Sequence, residues 1–265
     1  MTERDIITDE LKRVVLKNFF CTLEEAFEHK IYHYITFNNL IKSDENQEFY
    51  FERASDWKDP YENFLFNATI IINGSPMSFK DKTNWIYAKC FSIKEESYAM
   101  WKMRESDCIR FESTVGDFFN ILFHSDFYSH IIDRKLTFRI GIVDYKTKEE
   151  IKVHYYDKLK DYNAFIHNIG NELLDSMFTK RAEYDFEKEL RVAILYENKI
   201  GENIEKLIFK YDNNLLKKTR IIFHPELDEK TCLERKRQLT ELGFCNVGIS
   251  DILNNQYLKI KITDN

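Results

Sequence analysis

Proline and glycine are scarce: 3 and 7 residues in a chain of 265 leave no linker-like stretch where two domains would part, so one compact domain is expected. The five cysteines (Cys21, Cys90, Cys108, Cys232, Cys245) are irregularly spaced and include no Cys-x-x-Cys. That pattern speaks against both a disulfide framework and a structural zinc. No apolar run approaches the roughly 20 residues that a membrane helix needs, and the opening "MTERDIITDELKRVV" is charged where a secretory signal would be apolar. A cytoplasmic protein with reduced thiols and no membrane partner is therefore predicted. Also missing are Gly-x-Gly-x-x-Gly, a phosphate-binding Gly-Lys-Ser/Thr loop, His-Glu-x-x-His and Gly-x-Ser-x-Gly. Their absence weakens dehydrogenase, nucleotidase, metalloprotease and esterase readings together. A net charge of −6 gives no general attraction to nucleic acid, so such a partner would need a local basic patch. "KKTR" at 217–220 and "ERKRQ" around Arg235 to Arg237 are candidates, the second also readable as a solvated helix face.

What is present points to a folded enzyme-sized core. Hydrophobic residues at 43% and charged ones at 32%, with no polar low-complexity tract, exclude a disordered chain. The 22 Phe and 15 Tyr are spread along the chain, which reads as core. Residues 6–19 carry Ile7, Leu11, Val14 and Val15 at helical spacing, and Thr22 with Glu25 offers a capping box, so a helical extension is expected over 1–29. Strand-like runs follow at "KIYHYITF", "EFYFERA", "FLFNATIII", "NWIYAKCFSI", "CIRFEST", "KLTFRIGIVDY", "EEIKVHYY", "EKLIFKYD", "TRIIFHP" and "YLKIKI". Helical patterns occupy "EESYAMWKM", "VGDFFNILFHSDFYSHII", "KLKDYNAFIHNIGNELLDSMF" and "EKTCLERKRQLTEL". Strands and helices neither alternate strictly nor segregate, and several strands pair as apparent hairpins. The class is α+β with a mostly antiparallel sheet flanked by helices.

The segment "EYDFEKELRVAIL" at 183–195 is the densest in chemistry. Read as a strand, its period of two puts Glu187, Glu189 and Arg191 on one face and Phe186, Leu190, Val192 and Ile194 on the other. Phe186, Leu190 and Ile194 would also suit a helix, but the β-branched content and short length favour the strand. A solvated, salt-bridged face is the ordinary account of such a charged triplet. Other candidates carry similar pairs of readings. His33 lies between Ile31 and Ile35 and is either a satisfied core histidine or a ligand contact. Ser92 ends a strand, with Glu95 three residues on as in a helix cap. Tyr98 and Trp101 are three apart on a helix, as core residues or as a stacking platform. His29 and His33, four apart across a helix-to-strand change, do not make a zinc site.

Taken in order, "IYHYITFNNL", "FYFERASDWKDPYENF", "CFSI…AMWKM" and "FTKRAEYDFEKELRVAI" resemble the ADP-ribosyltransferase fold superfamily, in particular a bacterial branch of toxins and antiviral defence proteins. The first stretch is also similar to the opening of the DNA-targeting toxins, and the likeness spans about residues 31–195. It implies a split antiparallel sheet in one ADP-ribosyltransferase-like domain covering 1–265. It further implies a cytoplasmic enzyme that takes ADP-ribose from NAD to a macromolecular acceptor, nucleic acid slightly ahead of protein, in a toxin–antitoxin or phage-defence setting with a neutralising antitoxin protein as a further partner. In such enzymes one strand gives a His or Arg, a second a Ser or Tyr, and a third the catalytic Glu, often as Glu-x-Glu. Carried over, these are His33, Ser92 or Tyr98, and Glu189 with Glu187 before it. Glu189 would stabilise the ribose cation and Glu187, some 7 Å along the same strand face at about 3.3 Å per residue, would serve an acceptor seated between them. Arg191 would keep Glu189 ionised, His33 would hold the cofactor, and Tyr98 or Trp101 would stack on nicotinamide. "KDPYE", with Asp59 and Glu62, is expected to shape a loop at the pocket mouth. Two alternatives stand beside this reading: a metal-dependent nuclease using Asp59, Glu187 and Glu189, which lacks the Asp/Glu-x-Lys element because Phe186 occupies the place, and an inactive interaction module.

Overall fold

The computed structural model describes residues 15–18, 23–57, 59–62, 64–72, 74–104, 106–123, 125, 136–196, 204–211 and 216–253. Its strands are β1 (Val15–Lys17), β2 (Lys30–Thr36), β3 (Glu48–Arg53), β4 (Ile70–Ile72), β5 (Ser75–Met77), β6 (Ile86–Ser92), β7 (Cys108–Thr114), β8 (Leu136–Ile142), β9 (Asp144–Lys146), β10 (Thr179–Arg181), β11 (Glu189–Tyr196), β12 (Lys206–Lys210), β13 (Arg220–Phe223) and β14 (Asn246–Ile249). The helices are α1 (Leu23–Glu28), α2 (Phe37–Asn46), α3 (Phe64–Asn67), α4 (Tyr98–Lys102), α5 (Val115–Phe123), α6 (Lys148–Leu159), α7 (Tyr162–His167), α8 (Ile169–Ser176) and α9 (Glu229–Glu241). The result is one mixed α+β domain whose mostly antiparallel sheet is flanked by helices, as expected.

The main sheet runs β1-β8-β11-β6-β2-β7-β13-β14, and β3, carrying β12 on its far side, also pairs with β6. Only the outer pairs β1–β8 and β13–β14 of this sheet are parallel. Its centre is forked. β6 meets β2 at the single pair Ser92–Tyr32, while further back Ala88 and Tyr87 pair with Glu52 and Arg53 of β3. Between those contacts Lys89, Cys90 and Phe91 have no ladder partner on that edge. A buried carbonyl left unpaired costs roughly 1–3 kcal/mol, and here the Cys90 carbonyl accepts from His33 Nδ1 at 2.9 Å. A side chain thus replaces the missing ladder bond and holds the fork open.

Both faces of the sheet are covered. Leu190, Val192 and Ile194 of β11 join Phe91, Phe111, Phe118 and Phe119 in one core, and Ala193 joins Ile151, Tyr155, Leu173, Leu174 and Phe178 in the other. A strand buried on both sides gives residues 190–194 their near-continuous apolar run, interrupted by Arg191 alone. Gly141 is required where β1 closes on β8, since a Cβ there would stand 2.6 Å from that of Lys17.

Several local expectations are corrected. "EEIKVHYY" lies in α6, because a capping box decides against its β-like composition: Glu150 N donates to Thr147 Oγ1 at 3.2 Å and Thr147 N to Glu150 Oε2 at 2.7 Å. "FLFNATIII" divides into α3 and β4. The helix expected over 6–19 lies mostly outside the described residues, and within it Val15–Lys17 is a strand paired with β8. The Thr22 cap and the closing strand "YLKIKI" also lie outside the described residues. No helix of the described residues is long and apolar enough to cross a membrane.

Candidate active site

β11 begins at Glu189, two residues later than its charged pattern suggests. Ala182–Glu187 forms a 3₁₀ turn, and Lys188 adopts a left-handed conformation (φ 45°, ψ 62°) before the strand starts at Glu189. A non-glycine residue there costs of order 1–3 kcal/mol, a strain that concentrates at functional sites. Lys188 is held by its neighbours: its carbonyl accepts from Ile93 N at 2.8 Å, and the Glu187 carbonyl accepts from Ser92 Oγ at 2.8 Å. The turn therefore corrects the expected geometry. Glu187 and Glu189 are not spaced along one strand face with an acceptor's room between them; their side chains hydrogen-bond each other and share one cation.

That cation is Lys180 of β10. Its Nζ lies 2.7 Å from Glu187, 2.9 Å from Glu189 and 3.0 Å from Glu62. Arg191 completes the lattice: its guanidinium donates to Glu189 through Nε, to Glu62 at 2.8 Å and to the Met177 carbonyl at 2.8 Å, with Trp57 stacked at 4.6 Å. Glu62 arrives on the Asp59-Pro60 loop, which Arg181 ties down through Asp59 at 2.9 Å. Glu189 N in turn donates to Tyr145 Oη at 2.9 Å. Three carboxylates and two cations thus lie together, with Arg191 fully buried and Glu189 only 7% exposed.

The charges sort unequally. Burial pushes the Glu187 carboxyl up, to about 8, and the adjoining Glu189 carboxylate adds to the rise, so Glu187 carries a proton at neutral pH. Burial also disfavours the charge of Glu189, but Arg191, the hydrogen bond from Glu187 and Lys180 outweigh it and hold that carboxyl well below the usual carboxylate range. One protonated and one ionised carboxyl side by side is the arrangement by which sites obtain an acid and a stabilising anion from the same residue type.

A cavity of about 280 Å³ fills the fork, lined among others by His33, Ser92, Glu187 and Glu189. Glu189, Ser92 and Tyr32 are in register across β11, β6 and β2, so the sequence candidates Glu189, Ser92 and His33, the last one residue beyond Tyr32, lie on adjoining strands. Burial drives the His33 imidazole well below its ordinary range and Lys89 pushes the same way, so the ring is neutral. A carbonyl only accepts, so Nδ1 carries the proton and Nε2 is left as an acceptor. Ser92 is buried and its hydroxyl donates to Glu187's carbonyl while accepting from Lys94 N at 3.1 Å, so it acts on Glu187 through the backbone.

The expected stacking pair is corrected. Trp101 is fully buried, donates through Nε1 to Glu96 at 2.9 Å and packs edge-on against Tyr34, so neither ring face reaches the cavity. Tyr98 is 46% exposed and does not line it. The aromatic walls are instead Tyr32, Tyr34, Tyr50 and Trp57. Sequence reasoning missed Lys180 and Lys89, which carry no motif, and placed Glu62 at the pocket mouth; only the charge of "TKRAEY" ahead of two glutamates hinted at a shared counterion. Among the described residues no group of three or more His, Cys, Asp or Glu is arranged to hold a metal ion. No protein-family model matches the chain, and no curated protein does.

Proposed function

We propose that the protein is an NAD-dependent ADP-ribosyltransferase with an ADP-ribosyltransferase-like fold. The observation that carries this reading is the rung Tyr32–Ser92–Glu189 across three adjoining strands at the mouth of a forked sheet, with an ionised Glu189 and a neutral His33 in the same cavity. Breaking the bond between nicotinamide and ribose builds positive charge on the ribose carbon, and a preorganised carboxylate in a water-poor site stabilises that charge more in the transition state than in the ground state. Glu189 supplies the anion. Lys180 and Arg191 fix its position and keep it ionised. His33 Nε2 accepts a ribose hydroxyl, Trp57 or a wall tyrosine stacks on a base, and Glu187, once deprotonated, takes the acceptor's proton.

The acceptor is a macromolecule. Nucleic acid rests on the likeness of the opening stretch, and most cations of the two basic runs are paired within the protein: Lys217 with Asp44, Arg220 with Glu112, Arg235 with Asp107 and Arg237 with Glu241. A role as a toxin in phage defence or beside an antitoxin rests on the same likeness. The nuclease reading would use Asp59, Glu187 and Glu189, but Asp59 faces Arg181 while the glutamates face Lys180. An inactive module has no use for the buried charges of Lys180, Glu189 and Arg191, whose desolvation is costly. Incubation of the purified protein with labelled NAD, with and without magnesium, tests the proposal: nicotinamide release without metal and label in one cellular fraction are expected. Metal-dependent cutting of nucleic acid, or no reaction, would overturn it.

A further inference from the structure

Two cations outside the Glu189 cluster also line the cavity, and one of them, Lys89, feels the carboxylate of Glu52. Lys89 of β6 lines the cavity from within the fork, where the strand has no ladder partner on the β2–β3 edge, and Arg104, just beyond α4, lines it too. Both act electrostatically on His33, which places two cations about that neutral ring. Among the described residues neither forms an ion pair, although Glu52, Glu187 and Glu189 line the same cavity. Lys89 Nζ has only the Tyr50 carbonyl at 3.4 Å and the Tyr50 ring at 4.9 Å. Burial pushes this ammonium down to about 8, with Glu52 opposing and Lys206 adding to the fall. A half-buried cation with no ion-pair partner is less well compensated than the paired cations of the Glu189 cluster. It is compensated when an anion arrives, because charge-assisted bonds to phosphate oxygens are short and strong.

We propose that Lys89 and Arg104 form an anion subsite that takes the diphosphate of a nucleotide ligand, at the end of the cavity opposite Glu189. Pre-set cations there divide the cavity into a phosphate end and a carboxylate end, which orients a dinucleotide so that its reacting ribose faces Glu189. The orientation rests on the proposed NAD reaction; the subsite itself does not. His33 lies between the two ends and, being neutral, repels neither.

Calorimetric titrations with ADP, inorganic pyrophosphate and adenosine test this on the full chain and on Lys89→Gln, Lys89→Arg and Arg104→Gln. ADP and pyrophosphate should bind the wild type. Lys89→Gln should weaken both by roughly ten- to a hundredfold, the usual loss for a charge-assisted hydrogen bond. Arg104→Gln, an exposed substitution, should weaken them by less, Lys89→Arg should retain most affinity, and adenosine should bind all four proteins alike. Undiminished ADP binding in both Lys89→Gln and Arg104→Gln, or no binding of ADP and pyrophosphate to the wild type, overturns the subsite. NAD turnover separates the two proposals: ADP held through Lys89 without any NAD cleavage would leave the subsite standing and remove the transferase, whereas NAD cleaved by Lys89→Gln with wild-type KM would do the reverse.

Discussion

The two ends of the cavity solve the problem of buried charge in different ways. At the β11 end Glu62, Glu187 and Glu189 lie against Lys180 and Arg191, every charged group within reach of an opposite one. At the β2 end the half-buried Lys89 and the exposed Arg104 form no ion pair among the described residues, and His33 avoids the problem by being neutral. The first end is complete without a ligand; the second is completed by one. Catalytic power should therefore depend on the first and ligand affinity on the second, and stability should respond in opposite directions when each is disturbed.

The largest effect is expected at the lysine that gathers the carboxylates. Lys180→Met leaves three acidic groups without their shared cation, and breaking a buried ion pair from one side typically costs about 3–5 kcal/mol. Denaturant unfolding of the variant should show a loss of that size, whereas Lys89→Met, which removes a half-buried charge without an ion pair, should be neutral or stabilising. Equal losses in both would erase the distinction between the two ends.

Next in size is Glu189→Gln, which keeps shape and most hydrogen bonding but removes the anion. Preorganised electrostatic stabilisation of this kind is usually worth about 10²- to 10³-fold in rate. Nicotinamide release should fall by that factor in a folded protein; a near wild-type rate would show that Glu189 is not the cation's partner.

His33 lies on the boundary and should show both effects. Its replacement by Ala removes the group that satisfies the Cys90 carbonyl, a loss on the order of 1–3 kcal/mol. If it also holds a ribose hydroxyl, the rise in melting temperature that NAD produces in the wild type should shrink in the variant. Paired melts with and without NAD read both quantities, and an undiminished NAD shift would reduce His33 to its architectural role.

The smallest effect at neutral pH belongs to Glu187. Its folded pKa, about 8, lies above the unfolded carboxyl value, so the native state holds the extra proton between the two and wild-type stability should decline as pH rises from the ordinary carboxyl range to about 8. Glu189 has the opposite sign: its depressed pKa contributes stability that is lost as pH falls below the ordinary carboxyl range. Glu187→Gln mimics the protonated form, so it should match the wild type near pH 5 and exceed it at pH 9 in denaturant melts. The same variant should lose transfer to the acceptor while keeping slow hydrolysis of NAD to ADP-ribose, since water demands less orientation than a macromolecule. A parallel loss of both activities would mean that Glu187 serves the cleavage step itself.

The sequence alone determined the alternation of β11, because Leu190, Val192 and Ile194 can meet one core only if Glu189 and Arg191 turn to the other side. It also determined the α+β class, through strand runs and helical periods set by local residue order. What it left to the tertiary structure was the meaning of those charges. Nothing in the spacing of Glu62, Lys180 and Glu189 says that they touch, since a loop, a short strand and the first residue of β11, separated by up to 127 positions, converge only when the sheet closes. Trp101 reads as a platform from its helix position, yet burial against Tyr34 and Glu96 removes its faces, while Trp57 gains a role from an arginine 134 residues away. The fork that makes the cavity was likewise invisible, because it consists of hydrogen bonds that β6 does not make to β2 and β3. Local order encodes which face a side chain takes; only the completed packing decides which distant group it meets and whether its charge survives there.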